Sequence, residues 1–223
     1  MQLRSISSFA CAFGVSLAIF GSTGTASAAG VMRITEWMYS GDEFVEFSNV
    51  GDASIDLTGW SFDDNSRLAG SVSLSSFGLV DAGESVILSE VAAATFRAAW
   101  GVGAAVDVIG LSTNNLGRAD EINLYDAGNG LIDRLTYNDQ IIGGPQTLNR
   151  SANIALANLG LNLANLAVAS VAGDAYGSSL STASYPGNPG LYLPIPEPTT
   201  ATLMTLGLLG LAGAARRAGV SRS

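Results

Sequence analysis

The chain has 223 residues, with 19 acidic residues against ten basic ones, no histidine, and arginine at every basic position. Its one cysteine, Cys11, lies in an apolar N-terminal stretch that has the layout of a cleaved leader. Beyond that leader a Ser–His–Asp triad, a cysteine nucleophile, a Schiff-base lysine and a His/Cys zinc site are all excluded, which leaves carboxylates, hydroxyls and arginine for chemistry.

From the N-terminus, the arginine of Met1-Gln-Leu-Arg4 is followed by an apolar run over Phe9–Phe20 and by Ala26-Ser27-Ala28, a small-residue cleavage site. This predicts a signal peptide over 1–28, cut after Ala28 or one residue later. Between Ala29 and Pro198 six arginines face all 19 acids, a net charge of −13. Such a balance repels nucleic acid and anionic lipid, and suits a surface protein or one that meets cations. The same stretch is long enough for a single domain with a real core.

From Val31 to Asp139 short strands alternate with Gly/Asp/Asn/Ser turns at the spacing of an all-β sandwich. Met32–Tyr39 alternates, with Ile34, Glu36 and Met38 on one face and Arg33, Thr35, Trp37 and Tyr39 on the other. Glu43–Asn49 and Ile55–Phe62 are the second and third predicted strands, and Ser71–Leu74 and Ser85–Leu88 are weaker ones. A single helix follows, with Ser89 as its cap, Glu90 in its first turn and Gly101 as its stop. Phe96 and Trp100, four apart, share one face of it and staple it to the sheets. Asp120–Asp126 and Leu131–Tyr137 predict a hairpin around Gly128-Asn129-Gly130, with a bulge at Leu131-Ile132. For 151–170 the composition allows either a loose helix or an irregular wrap, and 175–194 has the character of a segment laid over the surface.

The end of the chain has three parts in order. Pro196-Glu197-Pro198 comes first, then an uncharged Leu/Gly/Ala-rich run over Thr199–Ala215, then Arg216-Arg217. At about 17 residues the run is at the lower limit for a spanning helix, and the arginine pair would keep the C-terminus on the cytoplasmic side. A permanent anchor would explain the run and the arginines but not the Pro-Glu-Pro. The arrangement resembles the PEP-CTERM sorting signal. That resemblance implies a bacterial protein that is exported, inserted transiently in the membrane, cut near the motif by an exosortase, and left at the cell surface or outside the cell among exopolysaccharide.

The body resembles the lamin tail domain, an immunoglobulin-like sandwich. Ile34-Thr35-Glu36, Glu43–Asn49, Ile55–Trp60, Ala82–Leu88, Asp120–Asp126, Asp133–Tyr137 and Gly187-Asn-Pro-Gly190 carry the likeness, which spans Val31 to Gly190. Arg118-Ala119-Asp120-Glu121 departs from the family's Gly-Asp before the hairpin. The expected organisation is therefore a signal peptide (1–28), an all-β sandwich with one short helix and a C-terminal wrapping segment (29–190), a linker with the Pro-Glu-Pro motif (191–198), and a transmembrane helix with a basic tail (199–223). The resemblance implies a binding or scaffolding unit and transfers no catalytic residues.

Three sets of side chains are candidates for function. Glu36 and Glu46 could act as a glycosidase-type acid/base pair if a sandwich held them at the right separation, or simply accept hydrogen bonds at a sheet end. Asp63-Asp64-Asn65, with Asp120, Glu121 or Asp126, could offer oxygens to calcium, but no EF-hand loop is present and turn chemistry is their ordinary use. Among the aromatics, Trp60 is expected in the core and Trp100 in the helix staple, which leaves Trp37 and Tyr39 as the exposed pair for stacking on a sugar. The expected function is a non-enzymatic surface or matrix protein with no catalytic, cofactor or metal residues assigned. Its partners would be an exosortase and an extracellular polysaccharide or envelope protein. The alternatives are an accessory carboxylate- or calcium-dependent hydrolase domain and a self-associating matrix module.

Overall fold

The computed structural model describes residues 28–193. Ala26, Pro196, Glu197, Pro198, Arg216, Arg217 and the apolar run between them lie outside these residues. No helix within them is long and apolar enough to cross a membrane.

Two sheets form the body. In chain order the strands are β1 (Met32–Met38), β2 (Phe44–Asn49), β3 (Ile55–Asp56), β4 (Ser61–Asp63), β5 (Val72–Ser73), β6 (Leu79–Val80), β7 (Ser85–Ser89), β8 (Asp107–Ile109), β9 (Ala119–Tyr125), β10 (Leu131–Asn138), β11 (Ala152–Asn153), β12 (Val168–Ala169), β13 (Ser179–Leu180) and β14 (Pro186–Gly187), with helix α1 (Ala93–Trp100) between β7 and β8. A six-stranded sheet has the order β12-β11-β1-β2-β7-β8 and a four-stranded sheet the order β10-β9-β4-β5, while β3–β6 and β13–β14 are separate pairs. All pairings are antiparallel except β7–β8.

The main core fills the space between the sheets, with Trp37, Val45, Phe47, Phe62, Leu88, Ile122, Leu124 and Leu135 all buried in it. At one side the sheets join directly, where the Asp133 carboxylate on β10 accepts the Ile34 N–H at 3.0 Å and the Arg33 guanidinium reaches the Ile132 carbonyl at 3.3 Å. The expected bulge near Leu131-Ile132 is present, since the β9–β10 register slips between Leu131 and Asp133.

A second bulge lies in β1, between Ile34 and Glu36. One extra residue in a strand moves every later side chain to the opposite face. Met32 and Ile34 before it, and Trp37 and Tyr39 after it, therefore all point into the core, while Met38 joins a second cluster on the outer face. The simple alternation expected for Met32–Tyr39 holds only up to Thr35.

The expected third strand is broken in two. Asp56 Oδ1 accepts the Thr58 N–H at 2.8 Å, Trp60 N–H closes onto the Leu57 carbonyl at 3.0 Å, and Gly59 takes φ +82°, a conformation that favours glycine. The turn sends Ile55–Asp56 to pair with β6 and Ser61–Asp63 into the four-stranded sheet. Helix α1 also differs at its start. Ser89 is held in the β2–β7 ladder opposite Phe44, so the cap position falls to Ala92, and the first turn carries no acid. Gly101 does end the helix in the left-handed conformation. Phe96 and Trp100 pack edge-on against Phe44, with ring centroids 5.4 and 5.7 Å away. Strand β8 has no clear signal in the sequence: its burial does not alternate, with Asp107 exposed and the adjacent Val108 and Ile109 both half-buried.

Residues 140–193 form a wrap with little regular structure. β11 extends the six-stranded sheet beside β1. The last segment, 178–192, is a strap across that sheet's outer face: the Thr182 N–H bonds to the Ala99 carbonyl at 2.8 Å and the Ser151 N–H to the Pro186 carbonyl at 3.0 Å. Gly187 permits this close approach, because a Cβ there would stand 2.8 Å from the Trp100 ring and 2.9 Å from Ser151 Oγ. Gly187→Ala is expected to destabilise the protein by about 1–3 kcal/mol through overpacking, measured by urea unfolding.

Candidate functional site

Trp37 and Tyr39, the expected exposed aromatics, are 0% and 9% exposed. Their rings pack on Tyr137, with centroids 5.6 and 6.5 Å away. The bulge at Thr35 is the cause, and the exposed stacking platform expected at these two residues is corrected: both are core. Trp60 and Trp100 are buried, as expected.

Glu36 and Glu46 are brought together. They stand directly opposite each other across β1 and β2, neither is exposed, and the strap covers them. Glu46 Oε1 accepts the hydroxyls of Thr35 at 2.7 Å and Ser48 at 3.3 Å, and its Oε2 accepts the Gly190 N–H at 2.7 Å. Glu36 Oε1 accepts the Ser151 hydroxyl and the Asn188 N–H, the latter at 2.9 Å. Burial, and then the nearby Glu46 carboxylate, raise the Glu36 carboxyl well above the usual range; burial raises Glu46 as well. A glycosidase pair must meet a substrate and a water, and this pair is sealed under protein.

The open site lies at the far end of the hairpin. The start of β9, the end of β10 and the loop after β4 enclose a cleft of about 290 Å³ lined by Asn65, Arg67, Ala119–Glu121, Thr136–Asn138 and Ile142. That volume is near the lower end of the range of about 300–1,000 Å³ usual for ligand pockets. Arg67 is its cation. It adopts φ 57°, a left-handed conformation that an arginine holds only when its surroundings fix it. What fixes it is a two-pronged pair with Glu121, Nε to Oε2 at 2.7 Å and Nη2 to Oε1 at 2.5 Å. Glu121 also accepts the Thr136 hydroxyl at 3.1 Å. The Arg67 side chain remains 55% exposed, so its other N–H donors are available at the cleft mouth. The hydrogen bonds from Arg67 pull the Glu121 carboxyl down to about 2. Tyr137 closes the floor: it is 4% exposed, and its hydroxyl finds no protein partner.

The oxygens considered for calcium are engaged in turns. Asp63 accepts the Leu68 N–H at 2.6 Å, the Ser66 hydroxyl at 2.8 Å and the Asn114 amide at 2.9 Å. Asp126 accepts the N–H groups of Gly128 and Gly130. Among the described residues no three His, Cys, Asp or Glu side chains form a group that could hold a metal ion. The sequence offered no pointer to the cleft beyond the clustered polar residues at 63–67 and 118–121. Its assembly depends on a sheet order, with β4 beside β9, that no local pattern encodes.

Two sheets packed around a main core, antiparallel except at β7–β8, with a single α-helix among the described residues, are consistent with the immunoglobulin-like class of β-sandwich. The family model of the lamin tail domain matches residues 25–139, and the chain belongs to that family. The lamin tail domain is a non-catalytic type of domain and fits a binding or structural module. No curated protein and no solved structure matches the chain. The family match ends within the β10–β11 connection, so the strap and the strand that extends the large sheet lie beyond it.

Proposed function

We propose that this chain is an exported, non-enzymatic surface or extracellular-matrix protein that binds exopolysaccharide through the cleft at Arg67 and is sorted by an exosortase. The cleft supports the binding reading. Arg67, Asn65 and Asn138 can donate to sugar hydroxyls, Glu121 can accept from them, and Ile142 gives an apolar rim. Pairing with Glu121 neutralises the arginine, which favours a neutral hydroxylated ligand over a highly charged anion. Co-sedimentation of the full-length protein with its host's exopolysaccharide tests this: Arg67→Ala is expected to weaken binding by about ten- to a hundredfold, the effect of losing one charged hydrogen bond worth about 1.5–3 kcal/mol. Binding unchanged in Arg67→Ala would remove the cleft from the account.

The sorting half of the proposal rests on Pro196-Glu197-Pro198, the apolar run after it and Arg216-Arg217. Replacing the three motif residues by alanine is expected to leave the full-length chain in the membrane fraction, read by immunoblot. Processing identical to wild type would reject an exosortase.

A second reading, self-association in the matrix, draws on one observation. Large apolar side chains stand exposed along the C-terminal wrap, among them Ile141 at 83%, Val171 at 59% and Leu161 at 57%. Sedimentation that depends on protein concentration without any ligand would favour it.

A further inference from the structure

The carboxylate pair beneath the strap has an incomplete set of hydrogen bonds, and the network around it shows what completes the set. Asn188 Nδ2 donates to the Leu191 carbonyl at 2.8 Å, which fixes that amide and makes its Oδ1 an acceptor. Oδ1 takes hydrogen bonds from Asn153 Nδ2 at 2.7 Å and from the Ser178 hydroxyl at 3.2 Å. Asn153 is thereby fixed in turn, because flipping it would set two carbonyl oxygens against each other. Its Nδ2 also donates to Ser170 Oγ at 3.1 Å. Asn153 Oδ1 is left as a wholly buried acceptor with no protein donor, and Glu36 Oε2 is left likewise without a partner.

These two orphan oxygens belong to neighbours. Asn153 on β11, Glu36 on β1 and Glu46 on β2 form one row across the sheet, each directly opposite the next. Two buried acceptors on directly opposite residues, neither with a donor, are each an expensive unmade bond. A single hydrogen on Glu36 Oε2, shared between them, would satisfy both atoms. Among the described residues no positive group compensates the acids. Glu46 from β2 and Asp174 from the loop after β12 both act on Glu36 as negative charges, burial and then Tyr176 and Glu46 raise the nearby Tyr192 hydroxyl on the strap, and β11 and the residue before it offer Asn153 and Ser151. The pair is also asymmetric: Glu46 receives donors on both oxygens and Glu36 on one. The charge therefore settles on Glu46 and the proton on Glu36.

We propose that Glu36 is a neutral carboxylic acid in the folded protein, that its Oε2–H donates to Asn153 Oδ1, and that this proton fastens the 178–192 strap, which alkali releases. The strap is the part that responds because Asn188 N–H and Gly190 N–H are its attachments to the two carboxylates. Deprotonating Glu36 puts two uncompensated charges in one row beneath it.

Hydrogen exchange at the Asn188 and Gly190 amides of the full-length protein, corrected for intrinsic rates and followed against pH, reads the strap. Infrared absorption of the neutral-carboxyl C=O reads the proton. Wild type should show the neutral-carboxyl band at pH 7 and lose strap protection by up to about tenfold per pH unit once Glu36 ionises. Glu36→Gln keeps the shape and the donor, and should remove Glu36's share of that band, leaving the share from Glu43, whose carboxyl is pushed up to about 8, and should hold protection constant with pH. Glu46→Gln removes the repelling charge and should move the loss to higher pH. Absence of the band in wild type, pH-independent protection in wild type, or the same loss in Glu36→Gln would each overturn the proposal. So would protection that chelator removes and calcium restores, since a cation would then occupy the proton's place.

Discussion

Trp37→Ala is expected to destabilise the protein by about 3–5 kcal/mol, the usual loss for truncating a large aromatic in a core. The residue is fully buried, its ring meets Tyr137 at 5.6 Å, and it lies among Ile34, Val45 and Leu135 between the two sheets. Urea unfolding measures this as a fall in the midpoint with little change in slope. Polysaccharide binding per folded molecule should be unchanged, because Trp37 does not line the cleft. An exposed stacking residue would behave in the opposite way, with binding lost and stability kept. Trp37→Phe should cost less, on the order of 1–3 kcal/mol, because the indole N–H it deletes has no protein partner to leave unsatisfied. If Trp37→Ala kept its midpoint and lost binding, the β1 bulge and the burial that follows from it would be wrong.

The difference between expectation and structure at Trp37 comes from one residue of register. Period-two alternation over Met32–Tyr39 correctly marks a strand, which runs from Met32 to Met38. It cannot report an inserted residue at Thr35, because the alternating pattern of Met32–Tyr39 runs through that position without a break and the register is set by pairing with β2. Other features were legible because their causes are local. Gly101 ends the helix through its own backbone, Phe96 and Trp100 meet through helical spacing, and adjacent Leu131-Ile132 signals a bulge through a break in alternation. Ser89 shows the opposite case: a good capping residue is taken by the sheet, in the ladder opposite Phe44, three residues before the helix cap. The strap was anticipated only as a segment over the surface. Its hold on Glu36 and Glu46 depends on contacts 144 and 152 residues apart along the chain, which neither composition nor spacing records. The Arg67 cleft has the same origin, with its ion pair spanning 54 residues.

Stability should peak in mildly acidic solution, near pH 4.5–5, and fall on both sides. On the alkaline side the carboxyls of Glu43, Glu36 and Glu46 are all raised, chiefly by burial. A carboxyl raised on folding stabilises the protein fully below its unfolded pKa, and that contribution is lost as pH climbs through the folded value. For Glu43, pushed up to about 8, the loss runs from about pH 4.5 to 8. Its Oε1 already accepts the Leu116 N–H at 2.7 Å, so burial outweighs a bond that favours the charge. On the acid side the sign reverses. Glu121 is lowered to about 2 by Arg67, and Asp63, Asp139 and Asp174 are lowered by their hydrogen bonds. Their contribution is present above the unfolded carboxylate range and is lost as pH falls toward 2. Each linked proton changes stability by at most about 1.4 kcal/mol per pH unit, so several acting together dominate the profile. Thermal unfolding from pH 3 to 9 measures it. Glu43→Gln should flatten the stretch between pH 5 and 8, and Arg67→Ala should lower stability above pH 4 and make the acid limb shallower, because Glu121 then loses the cause of its lowered pKa. A profile with its maximum above pH 7 would show that the buried carboxyls are charged in the folded protein, each beside a compensating cation.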